Sequence, residues 1–295
     1  MRNYNINIAG YNITFESLDD GPELAPSERF LRNICAGNES DIRIRVRSGT
    51  LLLPEKAERV FHAPFIEEIN GIRVHQKTNF WSVWRSGSDL YIKTFFPLCP
   101  VEMNGVLAFS LAKHDWDLWI DCKGPEVDPL EYPLDGLILY YLTVLTGDIM
   151  IHASGMNYEG KGYLFSGVSG KGKSTMAGLW EDTGAKVIHD DRIIIRKSGS
   201  GYMIYNTPVY NNDDPQESPL NRIFIIDHGS ENRIVPVKGA LAVSLVMSNC
   251  IQHNWGAEII AKLLGAVSVM CETIPVARLF FLPDKSVTEL ILENE

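Results

Sequence analysis

Cysteine pairs are missing from this chain. Cys35, Cys99, Cys122, Cys250 and Cys271 are scattered with no CxxC among them, so neither a disulfide framework nor a zinc site is expected. The odd count, with no secretory signal read at the N-terminus, leads to the expectation of a reducing, cytoplasmic location. Long hydrophobic runs are also absent. The longest, Leu137 to Leu145, is broken by Thr143 and falls far short of the ~20 residues that a membrane helix needs, so no membrane span is expected. Positive charge is scarce, with 27 Lys and Arg against 37 Asp and Glu and a formal net charge of −10. Phosphate backbones are bound through concentrated Lys and Arg, so no broad nucleic-acid footprint is expected.

What the chain does have is a glycine-rich loop of complete form, Gly167-Val168-Ser169-Gly170-Lys171-Gly172-Lys173-Ser174-Thr175. The spacing of Gly167, four residues, Gly172, Lys173 and Ser174 is that of a phosphate-binding loop. Its flanks agree. Gly162-Tyr-Leu-Phe-Ser166 reads as a buried strand, and Thr175 to Asp182 reads as a helix ending near Gly184. Glycines let successive N–H groups face one anion, and the helix start adds unpaired N–H groups and a positive dipole end. Lys173 can then reach the β- and γ-phosphates, and the Ser174 hydroxyl can meet Mg2+.

A pair of acids follows. Lys186-Val-Ile-His-Asp190-Asp191 reads as a strand ending in two carboxylates, with Arg192 to Arg196 continuing as another strand. One carboxylate can serve the metal while its neighbour, pointing the other way, accepts the proton of an attacking hydroxyl. Ile223-Phe-Ile-Ile-Asp227 has the same apolar-run-then-acid form, but it runs into His228-Gly229, which reads equally well as a turn. Asp227 therefore ranks second.

Residues 1–128 read as a β-rich domain. Tyr4–Ile8 and Tyr11–Phe15 alternate around Ala9-Gly10 as a hairpin, and Asp41–Arg47 alternates with three arginines on one face. Those arginines are assigned to a solvated sheet face in preference to an anion-binding surface. Gly71–His75, Phe80–Arg85, Leu90–Phe96 and Trp116–Asp121 read as further strands. Gly124, Pro125, Pro129 and Pro133 mark a change of texture before residues 129–295, which read as α/β. There, Pro133–Thr146, Val237–Gln252 and Ala257–Cys271 are of helical length, and Pro275–Leu282 reads as a strand. Ser286-Val-Thr-Glu289 reads as a capping box for a last helix.

His152-Ala-Ser, the loop Gly167 to Ser174, and Ile188-His-Asp190-Asp191-Arg192, in that order, resemble the HPr kinase/phosphorylase family over roughly residues 148 to 235. That family shares its nucleotide core with the ATP-dependent phosphoenolpyruvate carboxykinases. The tail from Ile274 to Ser286 resembles the end of HPr kinase-like proteins found beside peptide natural-product genes, lasso-peptide pathways included. The resemblance implies an HPr-kinase/carboxykinase-like P-loop fold, ATP and Mg2+ as cofactors, and a serine hydroxyl of a small protein or peptide as acceptor. It implies that Gly167, Gly170, Gly172, Lys173 and Ser174 hold the phosphates, and that Ser174 and Asp191 lie near magnesium. Asp190 would be the general base, and His152 would sit beside the γ-phosphate. Asp213, Asp214 and Glu217 are the downstream acids open as a further metal ligand. No Glu-x-Arg-Gly-like segment follows the loop domain, so HPr itself, a hexamer and the phosphorylase reaction are not implied; a homo-oligomer stays open. A free-serine kinase, a carboxykinase-like enzyme and an ATP-binding regulator are the other readings.

Overall fold

The computed structural model describes residues 1–37, 39–63, 68–69, 72–73, 80–99, 101–124, 126–208 and 214–294. The chain forms two compact units. One comprises Met1–Leu145 with Pro208–Asp214 and His253–Trp255; the other comprises Thr146–Thr207, Pro215–Gln252 and Gly256–Glu295. The division follows Leu145, so the helix read as lying after residue 129 is grouped mostly with the first unit.

The first unit contains β1 (Asn3–Ile8), β2 (Tyr11–Ser17), β3 (Glu23–Leu24), β4 (Ile34–Cys35), β5 (Ile42–Ser48), β6 (Glu58–His62), β7 (Glu68–Ile69), β8 (Ile72–Arg73), β9 (Trp81–Ser86), β10 (Asp89–Phe95), β11 (Met103–Phe109), β12 (Asp115–Cys122), β13 (Glu126–Val127) and α1 (Leu134–Thr146). Among the described residues, nine of the strands form one sheet in the order β4-β1-β2-β5-β12-β11-β10-β9-β6. The β1–β2 hairpin turns at Ala9 and Gly10, both with positive φ (52° and 75°), the backbone that a tight two-residue turn requires.

Ile42, Ile44 and Val46 of β5 are buried, while the arginines between them point outward. Arg45 pairs with Asp117 at 2.7 Å, and Arg47 lies over the Trp119 ring at 5.5 Å. The solvated-face expectation for these arginines fits: Arg43 is exposed, and Asp117 answers the charge of Arg45 and Arg47. Strands β6 and β11 have no counterpart in the sequence reading. In β11, Asn104 and Gly105 weaken the β signal, yet a side chain at Gly105 would come within 2.9 Å of the Phe96 ring. The expected strand Gly71–His75 lies largely outside the described residues, with only Ile72–Arg73 assigned as strand.

The second unit contains β14 (Ile149–Tyr158), β15 (Lys161–Ser166), α2 (Lys173–Glu181), β16 (Lys186–Ser198), β17 (Gly201–Asn206), β18 (Glu217–Pro219), β19 (Arg222–His228), β20 (Arg233–Val237), α3 (Gly239–Met247), α4 (Ala257–Thr273), β21 (Val276–Phe281) and α5 (Ser286–Glu293). Its sheet runs β18-β17-β16-β14-β15-β19-β21-β20. Strands β15, β19 and β21 are mutually parallel, and β14 and β16 are antiparallel neighbours on the other side.

Each face of this sheet has its own apolar core. Tyr163, Phe165, Phe224 and Leu279 pack with Trp180 of α2 and Ile291 of α5 on one side. Leu164, Ile223 and Val276 pack with Val246 of α3 and Met270 of α4 on the other. Two expectations are corrected here. The stretch Val237–Gln252, read as of helical length, starts on the last residue of β20 and is helical only over Gly239–Met247, and Lys285, not Ser286, precedes α5. The Asp284 carboxylate receives both the N–H and the hydroxyl of Ser286, so the acid outside the helix does the capping. None of the helices among the described residues is long and apolar enough to cross a membrane.

In the first unit His253 is buried against the rings of Tyr140 (4.0 Å), Trp81 (4.8 Å) and Phe61 (5.5 Å). Burial among apolar rings pushes its pKa down to about 3. In the unfolded chain it titrates at about 6.5, so between these values only the unfolded state takes the proton. Stability from this group is therefore complete above about pH 6.5 and falls by up to ~1.4 kcal/mol per pH unit on acidification. Melting temperatures from pH 7 down to pH 4 should fall less steeply for His253→Asn than for the native chain; parallel curves would disprove this.

Candidate active site

The loop Gly167–Gly172 leaves the end of β15 and enters α2 at Lys173. Gly170 (φ 82°) and Gly172 (φ 92°) adopt left-handed backbone, which glycine enters at no steric cost. At Gly172 the fit is also spatial, because an added Cβ would lie 2.8 Å from the Phe281 ring. Gly172 ends the loop with no side-chain cap on the helix start. The first N–H groups of α2 thus keep free the donors that an anion would use.

Each loop lysine is parked on an internal partner. Lys173 is buried, and its Nζ donates to the Gly167 carbonyl at 2.9 Å. Burial lowers its pKa, while Asp190 and Asp191 pull the other way, so both carboxylates lie within electrostatic reach of the ammonium. Lys171 Nζ pairs with Asp227 Oδ1 at 2.7 Å, and that hydrogen bond is the main cause holding the Asp227 carboxyl below the usual range. His228 Nε2 lies 3.1 Å from the Gly170 carbonyl. Asp227, ranked second as a metal ligand, thus serves as a brace for the loop together with His228.

Strand pairing brings the acids to the loop. β14 places Ala153 opposite Ser166 of β15, and Ala153 and Ser154 opposite Asp191 and Asp190 of β16. The two acids lie within a single thirteen-residue strand rather than at a strand end, which corrects that expectation. The strand continues through them because β14 and β17 supply backbone partners along its length. The ladder is irregular at Gly155/Met156, and His189 Nδ1 accepts the N–H groups of both Asp191 and Arg192 there (3.0 and 3.2 Å).

His152 Nδ1 lies 3.1 Å from Asp191 Oδ1 and 2.9 Å from the Asp191 carbonyl. Arg192 Nε reaches the other carboxylate oxygen at 3.2 Å. The His152 hydrogen bond, first, and the charge of Arg192 hold the Asp191 carboxyl below its ordinary pKa, so it is an anion at neutral pH. Ser154 Oγ donates to Asp190 Oδ1. Ser154 and Arg192 were quoted in the sequence motifs but given no role; their signal is position, two residues from His152 on one strand and next to Asp191 on the other.

Of the remaining expected residues, Val168, Ser169, Ser174 and Thr175 are exposed along the loop and helix start. Asp214 is ion-paired with Arg32, Glu217 is exposed on β18, and Asp213 lies outside the described residues. No group of three or more His, Cys, Asp or Glu among the described residues is arranged to hold a metal ion. A hydroxyl and a carboxylate, Ser174 and Asp191, are nevertheless hard oxygen donors of the kind that suits magnesium, which keeps several waters and takes its other ligands from substrate phosphates.

No family model matches the chain, and no curated protein matches it. Among solved structures it is similar to the HPr(Ser) kinase/phosphatase from Coxiella burnetii at 11% identity and a TM-score of 0.29, over 49% of this chain and 94% of that one.

Gly172 generates a direct test. Gly172→Ala has to hold an unfavourable φ and displace Phe281, so a loss of about 1–3 kcal/mol in stability is expected. Denaturant unfolding measures it, and a loss under about 0.5 kcal/mol, the range of an ordinary surface change, would disprove the close packing.

Proposed function

We propose that this protein is an ATP-dependent, HPr-kinase-like phosphotransferase that moves the γ-phosphate of ATP to a serine hydroxyl of a small protein or peptide. The observation that carries the reading is the register of β14, which sets Ala153 opposite both Ser166 at the root of the glycine loop and Asp191, and Ser154 opposite Asp190. A loop of this form with two carboxylates beside its lysine has the parts that phosphoryl transfer needs, namely positioning and charge stabilisation.

Lys173 exchanges the Gly167 carbonyl for a phosphate oxygen, and the free N–H groups of the loop and α2 take the others. Ser154 fixes one oxygen of Asp190, and the second accepts the proton of the acceptor hydroxyl as its oxygen attacks the γ-phosphorus. The bond to the bridging oxygen breaks and ADP leaves with that electron pair; the proton passes from Asp190 to solvent. Asp191, held ionised by His152 and Arg192, and Ser174 are the residues to hold magnesium, which when bound neutralises charge on the phosphates. A lasso-peptide or related precursor ending in serine fits the resemblance of the C-terminal tail.

Asp190→Asn should keep nucleotide affinity within about twofold and lower transfer by roughly 10²–10⁴-fold, whereas Lys173→Ala should weaken both. Mass spectrometry after incubation with Mg-ATP and a panel of HPr, serine-ended peptides and free serine reads the transfer. Equal losses of ATP binding in the two variants would overturn the assigned roles. A phosphate gained by free serine alone would replace the peptide acceptor with a small molecule.

A further inference from the structure

The strand that carries the acids loses one step of its alternation. Ile188 and Ile193 pack in the same apolar cluster, yet they stand an odd number of positions apart, and a regular strand returns to one face only at even spacings. The β14–β16 ladder locates the lost step. Gly155 lies opposite His189 and Met156 opposite Val187, so Ile188 is the extra residue of a bulge. Gly155 makes the room for it, since an added Cβ there would lie 2.4 Å from the Ile193 side chain.

The lost step decides where the acids go. Counted from Ile188, Asp190 would point into the apolar cluster, where an unpaired carboxylate is costly. Counted from Ile193, it points to the opposite face, where Ser154 donates to it. That face is the one that carries α2, because Met156, two residues on from Ser154, packs with Met176 and Trp180 of the helix.

Beyond the bulge a side chain holds the backbone. His189 is buried, and its Nδ1 accepts the N–H groups of Asp191 at 3.0 Å and of Arg192 at 3.2 Å. Successive N–H groups of a regular strand point to opposite edges, so one nitrogen takes both only where the chain turns. Both donors are amides, which leaves Nδ1 without a proton. At this turn His152 meets the carbonyl and the carboxylate of Asp191. β17 pairs with β16 from Ile193 onward, and ahead of that point the ring nitrogen is the acceptor that a neighbouring strand supplies further on.

Resting on the phosphotransfer reading above, we infer that His189 is a positioning residue for both acids: by holding the amides of Asp191 and Arg192 it fixes the bulged backbone on which the two carboxylates are presented to the glycine loop. The substitution that separates this role from packing keeps the acceptor atom. In His189→Asn, Oδ1 stands the same number of bonds from the backbone as Nδ1, and Asn side chains accept backbone amides a few residues on in turns and helix caps. His189→Leu fills much of the space and accepts nothing.

Amide hydrogen exchange in the full chain reads the hold itself. The Asp191 and Arg192 amides should exchange at least about tenfold faster in His189→Leu and within about threefold of native in His189→Asn, with those of Ile193, Ile194 and Ile195 unchanged in both. Steady-state transfer from Mg-ATP, to an acceptor of the panel above or to water, reads the consequence. His189→Leu should lower kcat per folded molecule by about 10–100-fold with the KM for ATP within about twofold, and His189→Asn should keep kcat within about threefold of native. His189→Ala replaces His189→Leu if that chain folds poorly. Unchanged exchange or unchanged kcat in His189→Leu, or a His189→Asn variant as slow as His189→Leu, would overturn the positioning role and leave the phosphotransfer reading standing. Native protein that transfers phosphate neither to an acceptor nor to water would overturn that reading, and the positioning role with it.

Discussion

Backbone pairing along β14 sets the geometry on which the site depends. With β15 on one edge and β16 on the other, this strand has the glycine loop on one neighbour and the acid pair on the other. Its own His152 and Ser154 reach the two acids. Sheet ladders are rigid, and a slip of one residue in the β14–β16 register would send each acid to the opposite face. Ile193 and Ile195 of β16 pack in one apolar cluster with Ile149, Ile151 and Ile204, and that slip would take them out of it, which makes it costly. Packing of one half of β16 thus holds the acids of its other half in place.

The charged groups around the loop are satisfied internally. Lys173 donates to Gly167, Lys171 to Asp227, and His152 faces Asp191. A buried ammonium with no partner is costly, and the Gly167 carbonyl together with the two carboxylates offsets part of that cost for Lys173. In the proposed reaction, an arriving anion replaces a neutral carbonyl with a charged oxygen, a stronger hydrogen-bond acceptor. The loop is braced from below as well, by Phe281 against Gly172 and by His228 against Gly170. A loop held this way gives up little conformational freedom on binding, which favours affinity.

Polar groups in the first unit are handled by the same logic with a different result. The arginines of β5 meet Asp117 and Trp119 in neighbouring strands, so an outer face rich in positive charge is locally neutralised. His253 is surrounded by aromatic rings that exclude water, and its neutral form is the one the core accepts.

Short-range features were legible in the sequence because the forces that make them are short-range. The spacing from Gly167 to Ser174, the Ala9-Gly10 turn, the alternation of β5 and the helical stretches before and after residue 250 each follow from propensity and periodicity within one segment. Strand β11 was not legible, because Gly105 reads as a break and is required only by the Phe96 ring packed against it. The brace formed by Asp227 and the tie between Ser154 and Asp190 were not legible either. Each joins residues far apart along the chain, and local periodicity does not encode which strand pairs with which, or in what register. The sequence by itself determined a glycine loop between a strand and a helix and named the acids near it. Only the tertiary structure decided which carboxylate faces which partner, because that depends on hydrogen-bonded register between distant strands.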